Sequence, residues 1–146
     1  IDIPSYIESG SAIDDRGSID FFNELYSFKT KRFYLINNIE ENFIRAWHAH
    51  KKESKLFYCI EGHIQISTVK IDNFKKPNKN LNIVNFFLSN KTDKLVYVPG
   101  GYANGIKFFT NKTRVLVFST SKLEESLNDD FRYQFDYWNP WKINYR

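Results

Sequence analysis

Arg45-Ala46-Trp47-His48-Ala49-His50-Lys51 is followed, after three residues, by Lys55-Leu56-Phe57-Tyr58-Cys59-Ile60-Glu61-Gly62. Both stretches are rich in the aromatic and β-branched residues that favour strands. In an extended strand successive side chains point to opposite faces, so His48 and His50 share one face. Two imidazoles on one wall of a β-structure either bind a metal or move a proton. They are two of only three histidines in the chain. The third, His63, follows Gly62 and reads as a solvated residue at a hairpin tip. Trp47 is expected to pack outside the β-structure or at an interface.

Outward from this pair the pattern stays β. Strands are expected at 31–37, 43–50, 55–61, 63–72, 81–88, 95–98, 105–109 and 114–119. Turn signals divide them: Asn37-Asn38, Glu61-Gly62, Lys76-Pro77-Asn78, Ser89-Asn90, Pro99-Gly100-Gly101 and Thr110-Asn111-Lys112. Residues 72–80 read as a long polar hairpin loop. Helices are expected only at 18–25 and 121–127. Short, evenly spaced strands without helical periodicity predict a sandwich or barrel.

The 146 residues predict one domain, 1–146, with a sizeable core. Fourteen Phe, nine Tyr and three Trp suit a β-fold lined with rings. The net charge of +4 is spread along the chain rather than blocked. That argues against nucleic acid and suits a small anionic ligand. Cys59, the lone cysteine, excludes a disulfide within the chain and reads as a buried thiol. No signal-peptide pattern and no apolar run of spanning length is visible, so a cytoplasmic protein off the membrane is expected. Glu124-Glu125 and Asp129-Asp130 read as a solvated helix face and a helix end.

Val98-Pro99-Gly100-Gly101-Tyr102-Ala103-Asn104-Gly105 reads as a strand end, a tight turn and a return. Together with His48-Ala49-His50, Glu53 and Gly62 it resembles the paired motifs of cupin jelly rolls. Asn104 stands where the last metal-binding histidine of that motif would be, and Glu53 lies closer to His50 than the usual ligand spacing. A divalent ion needs three or four converging ligands. The set is incomplete, and neither a metal nor another cofactor is expected.

Within the cupins the chain resembles the dTDP-4-dehydrorhamnose 3,5-epimerases and the dTDP-4-keto-6-deoxyglucose 3,4-ketoisomerases. Asp15-Arg16-Gly17, the Arg45–Gly62 segment and the Val98–Gly105 turn occur in the family's order over nearly the whole chain. His48-Ala49-His50-Lys51 and Gln134-Phe135-Asp136 lean toward the ketoisomerases. The resemblance implies an all-β, cupin-type jelly-roll β-barrel with one or two short helices. It implies a homodimer with N-terminal residues packed on the partner, and a dTDP-linked 4-keto-6-deoxyhexose as substrate. Its setting would be deoxysugar biosynthesis for surface polysaccharide.

The resemblance also assigns roles. His48 is the base, and His50 the second proton carrier of a ketoisomerase. Lys55 stabilises the enolate, Arg16 and Arg45 hold the diphosphate, and Asn104 is a substrate contact. These residue types fit enolisation beside a ketone. Histidine is poised near neutrality, lysine meets the developing oxyanion, and the arginine fork matches phosphate oxygens. Tyr34 is either a phenol at the site or a core residue. Asp136 either orients a histidine or serves as a turn residue. Arg45 and His48 would lie on opposite faces of a regular strand, so both meet a ligand only if a bulge separates them. The tyrosine that epimerases carry after the late strand is missing from Phe118-Ser119-Thr120-Ser121-Lys122, which weighs against 3,5-epimerisation. The alternative is a catalytically silent cupin that binds a sugar nucleotide or acts as an accessory domain.

Overall fold

Short runs of β-branched and aromatic residues build most of the elements, some with clear alternation as in Arg32–Asn38, and turn residues punctuate them. The computed structural model describes residues 3–146. Its strands begin with β1 (Ser5–Glu8), β2 (Gly10–Asp14), β3 (Gly17–Phe21), β4 (Arg32–Asn38), β5 (Phe43–His50) and β6 (Lys55–Glu61). They continue with β7 (His63–Lys70), β8 (Ile83–Ser89), β9 (Lys94–Val98), β10 (Tyr102–Phe108) and β11 (Thr113–Ser119). A one-turn helix α1 (Leu123–Leu127) and the short β12 (Phe131–Arg132) close the series.

Five strands in the order β1-β9-β6-β11-β4 form one antiparallel sheet, and five in the order β12-β5-β10-β7-β8 form a second. Phe57, Cys59, Val96, Val115 and Val117 of the first sheet meet Ile64, Ile66, Phe86, Ile106 and Phe108 of the second. Each such Val, Ile or Phe side chain contributes about 1.5–3 kcal/mol by leaving water. Burial also pushes the Cys59 thiol up to about 11, so it is an inert core group. This is the expected all-β jelly roll, with one refinement. The two sheets are separate ladders packed face to face, not one closed cylinder of hydrogen bonds.

The second sheet is covered on its outer face as well. Trp47, Ala49, Val69 and Ala103 pack there against Trp138 and Trp141 of the C-terminal segment. The Trp47 indole N–H donates to the carbonyls of Phe135 and Trp138, so burying the ring leaves no unpaired donor. Trp47 therefore lies outside the sandwich, as expected.

The helix expected at 18–25 is replaced by β3. Asp14 pairs with Gly17, which leaves Asp15-Arg16 as a two-residue hairpin loop between β2 and β3. Gly17 has φ +124°, a conformation that other residues rarely adopt. Ser18-Ile19-Asp20-Phe21 then follows strand alternation rather than a helical period. The helix expected at 121–127 is present as α1.

Candidate active site

A cavity of about 400 Å³ opens between the inner faces of the two sheets. Phe57 and Ile106 contribute apolar lining, and Leu123 and Leu127 of α1 border it. From the second sheet, β5 contributes Arg45, His48 and His50, and β10 contributes Asn104. From the first sheet, β4 contributes Arg32 and Tyr34, and β6 contributes Lys55.

Arg45 and His48 share this cavity because β5 is bulged, the condition under which both could meet one ligand. Asn104 pairs with His48, but Ile106 pairs with Arg45, so Ala46 and Trp47 together oppose Gly105. The extra residue changes the phase of alternation and brings both side chains inward. Gly105 is needed for this fit: a Cβ there would sit 2.6 Å from the Ala46 Cβ and 2.9 Å from the Trp141 ring.

His50 is 5% exposed. Its Nδ1 lies 2.5 Å from the Asp129 carbonyl. A neutral ring that donates there presents its unprotonated Nε2 as the acceptor. The Asp129 carboxylate accepts the backbone N–H groups of Lys51 and Lys52 at 2.8 and 2.9 Å and that of Glu53 at 3.4 Å. The turn after β5 is thereby fixed to the end of α1. Burial, then the nearby Lys55 ammonium, lowers the proton affinity of His50. For His48 burial acts first, then the charges of Lys55 and Arg132, and its pKa falls to about 4. Both rings are thus uncharged acceptors at neutral pH.

Four cationic side chains, Arg32, Arg45, Lys55 and Arg132, line the cavity against the single carboxylate of Asp130. Such a lining favours an anionic ligand. Arg32 donates to the Ser121 carbonyl at 3.1 Å, and its guanidinium lies 5.1 Å from the centre of the Tyr34 ring. Tyr34 both lines the cavity and packs against the core.

Two of the expected site residues lie elsewhere. Arg16 sits at the tip of the β2–β3 hairpin, exposed and paired with Asp14, and does not line the cavity of its own chain. Asp136 is exposed in the C-terminal segment and is also absent from the lining. That segment covers the outer face of the second sheet. Sequence reasoning missed Arg32, Arg132 and Asp130. Arg32 was within reach, since it lies two residues before Tyr34 and so shares its face. His63 is exposed at the start of β7, as expected.

The cupin metal does not suit these residues. Asn104 occupies the last ligand position, His50 directs Nδ1 to a backbone carbonyl, and Glu53 faces Arg32 and Lys55. Among the described residues no group of three or more His, Cys, Asp or Glu side chains is arranged to hold a metal ion. Among the described residues no helix is long and apolar enough to cross a membrane.

The fold is a jelly roll with two inward histidines in a cationic cavity. The family model described as FdtA: WxcM-like, C-terminal matches residues 4–139, and the chain belongs to that family. Three solved structures illustrate the fold. A 3,4-ketoisomerase from Helicobacter canadensis is 20% identical, with TM-score 0.72, over 92% of this chain and 93% of that one. A TDP-quinovose 3,4-ketoisomerase from Campylobacter jejuni is 20% identical, with TM-score 0.72, over 94% and 98%. A dTDP-4-dehydrorhamnose 3,5-epimerase from Bacillus anthracis, solved with TDP and pyrophosphate, is 20% identical, with TM-score 0.80, over 97% and 86%. Comparison with curated proteins finds no match.

Proposed function

We propose that this protein is a metal-independent isomerase of a nucleotide-linked 4-keto-6-deoxyhexose, acting by enolisation as a 3,4-ketoisomerase. The observation that carries the reading is the pair His48 and His50, side by side on one wall of a cavity rich in cations. The names of the structural relatives, ketoisomerases and an epimerase of TDP-sugars, point the same way.

In this reading the arginines hold the diphosphate and Asn104 holds a sugar hydroxyl. His48 removes the C3 proton. The C3–C4 double bond forms as the C4 ketone oxygen takes up negative charge beside Lys55. That oxygen is protonated, O3 loses its proton, and C4 receives a proton from His50 as C3 becomes the ketone. The C3 and O3 hydrogens are thus replaced by hydrogens on C4 and O4, and the formula is unchanged. Both carbon proton transfers take place from the histidine wall.

A second outcome has one observation behind it. Tyr34 stands on the sheet opposite the histidines. A proton returned to C3 from that side gives an epimer instead of a 3-keto sugar.

The reading extends to a single domain working as a cytoplasmic homodimer in deoxysugar supply for surface polysaccharide. The β2–β3 hairpin exposes Ile13 and Ile19, and β4 exposes Phe33 on the outer face of its sheet. These apolar residues suit a second copy. In such a dimer, Arg16 would reach a nucleotide held by the partner.

Incubation with dTDP-4-keto-6-deoxyglucose, followed by NMR of the sugar ring, tests the proposal. A 3-keto product is expected. A C3 epimer would select the Tyr34 route, and a bound but unchanged substrate would make the protein a silent binder.

A further inference from the structure

Glu53 sits in the turn between β5 and β6 with a side chain wholly removed from solvent. A buried carboxylate is costly unless cations and donors surround it. Its Oε2 accepts from the Ser119 hydroxyl at 2.9 Å and from Arg32 at 3.4 Å, and the Lys55 ammonium stands 3.7 Å away. Its Oε1 has no hydrogen-bond partner among the described residues. An unpaired buried oxygen of this kind calls for an explanation. His50 Nδ1 lies 3.8 Å from Oε1. Glu53 thus contacts both Lys55 and His50 without lining the cavity itself.

We propose that Glu53 is a positioning residue that anchors Lys55 and Arg32 through Oε2 and uses the open Oε1 to stabilise His50 whenever His50 carries a second proton. This rests on reading the cavity as a site of enolisation. The Nε2 lone pair of His50 takes the proton, Nδ1–H stays on the Asp129 carbonyl, and the ring gains one positive charge. No proton passes to Glu53. The other titratable groups that touch His50 or line the cavity with it are His48 on the same strand, Lys55 on β6, Arg32 on β4, Arg45 on β5, Tyr34 on β4, Arg132 on β12, and Asp129 and Asp130 after α1. Glu53 is the buried carboxylate among them, and it offsets the cations that oppose a charged imidazole.

Glu53→Gln keeps the shape and removes the charge. Long-range proton–nitrogen NMR of the histidine rings in the full-length protein, without substrate, reads the effect directly. The His50 midpoint is expected to move down by about one pH unit or more, the effect of losing an opposite charge within 4–6 Å. The His48 midpoint is expected to move less. Glu53→Asp keeps the charge but withdraws it by one methylene, and an intermediate shift is expected. If Glu53→Gln does not fold, Glu53→Asp carries the test. A folded variant with the wild-type His50 midpoint would overturn the proposal. With sugar nucleotide, Glu53→Gln is expected to lower kcat about tenfold, the kinetic equivalent of that unit, with KM little changed. A wild type that turns over no sugar nucleotide while the midpoint still shifts would defeat the enolisation reading alone.

Discussion

Burial and two nearby cations keep His48 unprotonated at neutral pH. The folded ring takes its proton at about pH 4, against 6.5 for an unperturbed histidine. Between those values the unfolded chain binds more protons than the folded one. Stability from this group is therefore full above about 6.5 and drops as the pH falls through the window. His48→Asn removes that dependence. The difference between urea midpoints measured at about pH 7 and about pH 5 is expected to shrink in the variant. An undiminished difference would mean that His48 is not held neutral by its surroundings. Lys55 and Arg45 came from the family resemblance, whereas the shared face of His48 and His50 was legible in the sequence because strand alternation fixes it. The Glu53 network was not, since its partners Arg32 and Ser119 come from strands that only the folded sheet brings together.

At the level of elements, β5 and β6 fall where the residues place them, since aromatic and β-branched alternation bounded by turns leaves few other registers. The β5 bulge was foreseeable only through the resemblance, which assigned Arg45 and His48, three residues apart, to one ligand. The N-terminal hairpin was missed because Ser18–Phe21 is short and its turn signal, Asp15-Arg16-Gly17, was read as a recognition element. The pairing of β12 with β5 through two residues was too short to leave a pattern. Gly105 supports the bulge by close approach. Gly105→Ala is expected to destabilise the fold by about 1–3 kcal/mol through overpacking against Ala46 and Trp141. Turnover should also fall as Arg45 and His48 lose register. Urea unfolding of the variant checks the first effect, and an unchanged midpoint would show that the bulge does not depend on this glycine.

The whole molecule uses both faces of its second sheet differently. One face carries the cavity, and the other is sealed by the tryptophans of the C-terminal segment. No strand periodicity marks that segment, so its role as a cover was not readable beforehand. The first sheet keeps exposed aromatic and aliphatic side chains on its outer face, and the hairpin adds Ile13 and Ile19. Light scattering at micromolar concentration is expected to give about twice the 17.4 kDa of one chain. A mass of one chain would remove the route by which Arg16 reaches a nucleotide. We propose that the histidine wall enolises a keto sugar. This is tested most directly by following the C3 proton of dTDP-4-keto-6-deoxyglucose in deuterated water by NMR. The wild-type protein is expected to exchange that proton. His48→Asn is expected to do so on the order of a hundredfold to ten-thousandfold more slowly, while binding dTDP nearly as well. Exchange by His48→Asn at the wild-type rate would contradict the assignment.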